Sequence, residues 1–282
     1  MSPRAVAPKA VAPPKKTGGP AKDSKSSVQS LAKGFRILEA FSADDEPLTI
    51  TEVAERAGLD PGTAFRMLNT LVDLGYVSRS DKRRYALTLK ILDLGFNAIG
   101  RSDLRGLVRP ALRSLVGETS EAASFGILQG SDVVYVERMR AGLTRLGVDI
   151  RIGTAIPASV SVLGRAILAF LPPAGLERAL AHPTSAGAEA YPATIRARLS
   201  PELDAIRQQG YALSASMITA GLVALAVPVR DADGFAIGAI SVAAASIVCS
   251  AHDLREKALQ HLQTAAADVS KAMQTSGSAI GA

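Results

Sequence analysis

Between residues 30 and 88 the apolar positions recur at helical spacing in short blocks, each closed by Gly, Pro or charged residues. That rhythm predicts a few small helices followed by a hairpin. Leu31, Phe35, Ile37, Leu38 and Phe41 mark a first amphipathic helix, ended by the charged loop Asp44-Asp45-Glu46-Pro47. Leu48 and Ile50 give a short strand. Thr51 then reads as the cap of a second helix, Glu52 to Ala57, which Gly58 ends through a left-handed turn. Asp60 is an N-cap and Pro61 a first helical residue, so a third helix runs from Pro61 to about Leu74 and stops at Gly75. Wound at about 100° per residue, this helix carries Ala64, Leu68, Leu71 and Val72 on one side. Gly62, Thr63, Arg66, Asn69, Thr70 and Asp73 lie on the other. Tyr76 to Ser80 and Tyr85 to Leu87, joined by Asp81-Lys82-Arg83-Arg84, form a hairpin. Its basic residues are Arg79, Lys82, Arg83 and Arg84.

Beyond it Thr88 caps a helix through Leu89, Ile91, Leu92, Leu94 and Phe96, which reads as a linker, and a helix from Leu104 to Val116 opens a second domain. Strand patterns follow at Ala122 to Leu128, Val133 to Arg138 and Leu143 to Ile150. Helices are expected near Val162 to Phe170, Leu176 to Ala181 and Pro201 to Gln209. Strands then recur at Tyr211 to Ala215, Leu222 to Val229 and Phe235 to Ala243, before a closing helix from Ala251 to Met273. Strands and helices segregated in this way indicate an α+β fold on a mainly antiparallel sheet. The expected organisation is a disordered basic arm at 1–27, a winged helix-turn-helix domain at 28–88, a linker helix at 89–103, an α+β domain at 104–275 and a disordered tail at 276–282.

Two long uncharged runs, Ala212 to Val229 and Gly234 to Ala251, are diluted with Ser, Gly and Ala and flank an Asp-Ala-Asp-Gly turn. They read as buried strands of a hairpin, so no membrane partner is expected. Met1 to Ser30 has charge but no apolar stretch, and export is not expected. The single cysteine, Cys249, excludes an internal disulfide framework and fits a cytoplasmic location. His182, His252 and His261 lack metal-ligand spacing, and no cofactor is expected.

The net charge of +6 changes the picture only when it is apportioned. Residues 1–30 hold six basic and one acidic residue, whereas residues 31–90 hold nine of each. Bulk charge therefore does not argue for nucleic acid, but local charge does: the hairpin following the third helix gathers cations where they would meet phosphates. The residues assigned to duplex DNA are Thr51, Pro61, Gly62, Thr63, Arg66 and Asn69 on the helices and Arg79, Lys82, Arg83 and Arg84 on the wing. Arg66 matches a guanine edge, Asn69 an adenine edge, and Thr63 a phosphate or a thymine methyl.

Leu48-Thr49-Ile50-Thr51-Glu52-Val53-Ala54, Gly58-Leu59, Leu71-Val72-Asp73-Leu74-Gly75-Tyr76-Val77 and Tyr85-Ala86-Leu87-Thr88 resemble the IclR family of transcriptional regulators. Asp132-Val133-Val134-Tyr135-Val136, Gly164-Arg165-Ala166 and Ala226-Val227-Pro228-Val229 extend the likeness over residues 28–273, with a leaning to the subgroup that governs aromatic-acid (β-ketoadipate pathway) breakdown. The resemblance implies a homodimer, or a pair of dimers, that binds an operator. A GAF-like C-terminal domain would take a small organic acid as effector. It places Ser161, Val162, Leu163, Ser214, Leu222, Ala224, Ser241 and Ala243 around that effector. Many members carry an acidic group near Ser214 and a hydroxyl at Ala243, so the pocket here is expected to be more apolar and to favour an aromatic guest. The alternative is a small-molecule enzyme fused to a DNA-binding head. No nucleophile elbow, phosphate loop or dinucleotide fingerprint supports it.

Overall fold

The computed structural model describes residues 28–42, 46–100, 104–140, 150–182, 184, 191–217 and 220–276. The proposed basic arm and the last six residues lie outside them. The chain divides into two compact units, Met1–Ala98 and Ile99–Ala282.

The first unit holds α1 (Gln29–Glu39), α2 (Ile50–Ala57), α3 (Pro61–Asp73), β1 (Val77–Arg79) and β2 (Tyr85–Leu87). Thr49, not Thr51, caps α2. Thr49 and Glu52 stand at the N-cap and N3 positions, so the Thr49 N–H donates to Glu52 Oε2 at 2.7 Å while the Glu52 N–H donates back to the Thr49 hydroxyl at 3.4 Å. Thr51 is left as an exposed residue of the first turn. The expected strand at Leu48 and Ile50 shrinks to a single bridge, Leu48 pairing with Tyr85 through bonds of 2.8 and 2.7 Å, and Ile50 enters the helix. Asp60 caps α3 as expected, Oδ1 accepting from the Thr63 N–H at 2.8 Å, with Pro61 in the first turn. Gly75 just beyond the helix has φ +78, a left-handed conformation suited to glycine. Ile37, Val53, Ala64, Leu68 and Tyr85 are buried together in the core of this unit.

Next to it α4 (Lys90–Gly100) is preceded by Thr88, whose hydroxyl donates to the Gly75 carbonyl at 2.6 Å and accepts from the Lys90 N–H at 3.3 Å.

The second unit begins with α5 (Leu104–Thr119) and is built on six antiparallel strands: β3 (Ala122–Gln129), β4 (Asp132–Met139), β5 (Ala155–Pro157), β6 (Ala212–Ala215), β7 (Leu222–Arg230) and β8 (Ala236–Ala245). Their order across the sheet is β5-β4-β3-β8-β7-β6. The remaining helices are α6 (Val162–Ala169), α7 (Pro173–Ala181), α8 (Ala193–Gln209) and α9 (Ala251–Ser276). One face of the sheet buries Phe125, Leu225, Ile240 and Val242 against α5 and α9. The other face packs Val133, Ala226 and Ala239 with α6 and α8.

α8 starts at Ala193, eight residues before Pro201, and keeps that proline inside it. A lost helical hydrogen bond is tolerated there because Leu199, Leu203 and Ile206 are buried on the packed side. The strand expected at Leu143 to Ile150 lies outside the described residues except for Ile150, and the outer neighbour of β4 is β5. Finally, the β3–β4 register shifts between Phe125 and Gly126: Phe125 faces Glu137, Gly126 faces Tyr135, and Val136 has no counterpart. Such a bulge puts Tyr135 and Arg138, three residues apart, on one side of the sheet. The two uncharged runs do form strands. Asp231 Oδ1 closes the turn between β7 and β8 by accepting from the Asp233 and Phe235 N–H groups at 3.0 and 2.9 Å. Among the described residues no helix is long and apolar enough to cross a membrane.

Candidate DNA-binding face and candidate effector pocket

The turn between α2 and α3 is three residues, Gly58 to Asp60, and Gly58 takes φ +62. This is the length and chemistry of a helix-turn-helix. Pro61, Gly62 and Arg66 are exposed on α3 and Asn69 is half-buried. Thr63 departs from its expected place. Only 6% of it is exposed, and its hydroxyl accepts from Arg66 Nη2 at 3.1 Å, so it steadies the arginine instead of facing outward. Phe65, which the apolar pattern left unassigned, is 41% exposed. It lies three residues after Gly62 and four before Asn69, on the outward side.

On the wing, Lys82 and Arg83 are exposed at the tip, with Arg83 at φ +56. Arg79 is exposed too, its guanidinium 5.9 Å from the centroid of the Tyr85 ring. Arg84 is tied inward: Nη1 donates to the Pro47 carbonyl at 2.8 Å and lies 4.0 Å from the Glu52 carboxylate. The Thr49 hydrogen bonds hold the Glu52 carboxyl below its ordinary pKa, so it stays charged beside Arg84.

In the second unit a pocket opens between the sheet and the start of α6. It is lined by Ser161, Val162, Leu163, Leu222, Ala224, Ser241 and Ala243, and also by Ser124, Tyr135, Arg138, Ile150, Val160 and Ser216. Strand register explains why these meet. Ser124 lies directly opposite both Arg138 and Ser241, and one row along Ala243 lies opposite Ala224. Ser161 is the N-cap of α6, accepting from the Gly164 N–H at 3.4 Å, and it also bonds the Tyr135 phenol. Burial raises the pKa of that phenol and keeps it protonated. Gly164 is required where it stands, because a Cβ there would overlap the backbone of Ala158, and this contact fixes the loop carrying Val160 and Ser161. The free space is about 40 Å³. That holds no more than a few waters and is far below the roughly 300 Å³ and more of a filled small-molecule site.

Residues 96–271 match the C-terminal model of the bacterial IclR transcriptional regulators, and residues 30–81 match the IclR helix-turn-helix model. The chain belongs to the IclR family. It is 30% identical over 275 residues to the Pca regulon regulatory protein of Pseudomonas putida, covering 94% of this chain and 91% of that one. It is 31% identical over 227 residues to the p-hydroxybenzoate hydroxylase transcriptional activator of Acinetobacter baylyi, covering 76% and 80%. A chain of Rhodococcus sp. RHA1, solved as a candidate transcriptional regulator, superposes with a TM-score of 0.73 at 30% identity, covering 89% and 100%. Membership of a family of regulators sets aside the fused-enzyme alternative.

In this IclR-family chain seven of the eight residues assigned to an effector line the pocket. Ser214 does not. It shares a row with Ala224, but its hydroxyl accepts from Arg165 Nη2 at 2.5 Å, and Arg165 Nη1 also pairs with Glu202 at 3.0 Å. A buried arginine needs those partners, which removes Ser214 from the pocket. The expected apolar character is revised as well. Arg138, Ser124, Ser216 and the Tyr135 phenol were missed, because strict alternation along β4 places Tyr135 and Arg138 on opposite faces. Cys249 is packed: burial raises its thiol pKa. Among the described residues no cluster of three or more His, Cys, Asp or Glu side chains is placed to hold a metal ion.

Proposed function

We propose that this regulator binds operator DNA through α3 and the β1–β2 wing and that a small aromatic acid in the α6 pocket modulates the affinity. The observation that carries the reading is the pocket at the start of α6, where apolar side chains of α6 and β7 stand beside polar groups supplied by β3, β4 and β8. The aromatic class is supported by the relatives, one of which is named for activating p-hydroxybenzoate hydroxylase. A ring of that size requires the walls to move apart. An effector that fits only a widened form shifts the equilibrium towards it, which is the thermodynamic requirement of a sensor.

In the bound complex Arg66 and Asn69 read base edges while Pro61, Gly62, Thr51 and the wing cations Arg79, Lys82 and Arg83 follow the backbone. Thr63 and Arg84 support neighbouring groups rather than touching DNA. The reading assigns residues 28–88 to DNA, 89–103 to a linker and 104–275 to the effector, and locates the protein in the cytoplasm. It includes a homodimer, or paired dimers, for which the exposed Leu89, Leu92 and Leu94 supply apolar surface. Operator affinity, measured by fluorescence anisotropy on promoter DNA, should change as 4-hydroxybenzoate or protocatechuate is titrated in. Operator binding that ignores saturating acid would refute the switch while leaving the DNA reader intact.

A further inference from the structure

We infer that Arg138 is the anionic anchor of the α6 pocket, taking the carboxylate of a monocarboxylic acid whose apolar body lies against Leu163 and Leu222. The inference rests on the effector reading of this pocket and names the group that gives it acid specificity.

Arg138 lines the pocket from β4, and its Nη1 donates to the Ser124 hydroxyl at 3.0 Å. Its Nε is buried and has no hydrogen-bond partner. Among the described residues no carboxylate pairs with the guanidinium. Glu137, next in sequence, points the other way: its carboxylate takes Arg105 of α5 at 2.9 Å, and Arg138 reaches it only through its backbone N–H at 3.1 Å. Of its titratable neighbours, Tyr135 favours the charged guanidinium and Arg140, of like sign, opposes it. Burial holds the Arg138 pKa below its ordinary value, the mark of a cation partly stripped of water.

A half-buried guanidinium with an orphaned donor is costly to keep. A carboxylate satisfies it in the fork geometry that arginine offers and lysine does not. Ser124 holds the guanidinium from one side, and Ser241, opposite Ser124 on β8, adds a hydroxyl on the same row. Val162, Leu163, Leu222 and Ala224 supply an apolar stretch of the wall. Arg138 is the one charged side chain lining the pocket among the described residues, so a second carboxylate would have no cation to pair with and monoacids are favoured over diacids.

Isothermal titration of the full chain with benzoate and 4-hydroxybenzoate, against the neutral benzamide and 4-hydroxybenzamide, tests this directly. The acids should bind the wild type at least about 10-fold more tightly than the amides. Arg138→Gln should cost the acids about 10–100-fold and the amides little, and Arg138→Lys should recover part of the loss. Melting curves by circular dichroism check that each variant folds. Ala224→Trp fills the pocket without touching the charge and should abolish binding of every probe. Amides that bind as well as acids, or acids that bind Arg138→Gln like the wild type, overturn the anchor; if Ala224→Trp still blocks them, the pocket reading stands. Acid binding that survives Ala224→Trp overturns the pocket reading and the anchor with it, and so does failure of all four probes to bind the wild type.

Discussion

Replacing both Lys82 and Arg83 by Ala should flatten the salt dependence of DNA binding by an amount the wing geometry sets. Each cation that neutralises a duplex phosphate adds about 0.9 to the slope of log affinity against log salt. Both side chains are exposed at the wing tip, where the proposed seating of α3 in the groove would bring them to a phosphate backbone. The double variant should therefore lose about 1.8 from the slope per bound chain. Between roughly 50 and 200 mM salt the wild-type affinity should then fall about tenfold further than that of the variant. Arg84 is the internal control, because its guanidinium is spent on the Pro47 carbonyl beside Glu52. Arg84→Ala should leave the slope nearly unchanged while loosening the wing. Anisotropy of a labelled random-sequence duplex over a potassium chloride series measures both variants without knowledge of the operator. A double variant with the wild-type slope, or an Arg84→Ala slope reduced just as far, would refute the assignment of the wing.

Two glycine-to-alanine changes should have opposite signs. Gly164→Ala places a methyl on the Ala158 backbone and should cost about 1–3 kcal/mol with weaker acid binding, whereas Gly117→Ala inside α5 meets nothing and should gain about 0.5–1 kcal/mol. Urea denaturation midpoints decide it, and two shifts of the same sign would contradict the packing described. Hydrogen bonds from the Thr63 hydroxyl and N–H hold the Asp60 carboxyl below its ordinary pKa of 3.8. Its stabilising effect is therefore complete above that ordinary value and is lost as pH falls through the lowered folded one. Asp60→Asn keeps a cap acceptor that does not titrate, so any advantage of the wild type in melting temperature should shrink as pH falls below about 4. A gap that stays constant through the acid range would show that the cap does not depend on ionisation.

The first unit was largely legible because its signals are local. Asp60, Pro61, Gly58 and Gly75 act within three or four residues, so the helix-turn-helix could be located from spacing alone. The capping box shows the limit of that reading: the pattern pointed to Thr51, and the reciprocal bonds between Thr49 and Glu52 make Thr49 the cap. Thr63 was placed outward by helical angle and turned inward by its packing, since a short side chain near the edge of the apolar stripe goes whichever way its neighbours allow.

In the second unit the order of most strands and helices, β5 apart, the β7–β8 turn and most positions lining the pocket were carried by the sequence and its family likeness. Which side chains meet in the pocket was decided elsewhere. Ser214 is taken by Arg165, 49 residues away, and a bulge opposite Gly126 turns Tyr135 and Arg138 to the same side. Alternation within one strand cannot report a register slip, because the extra residue is defined only against the partner strand. Local hydrogen bonds and periodicity specify elements from sequence alone, while the charge of a pocket depends on pairings that exist only after the sheet has closed.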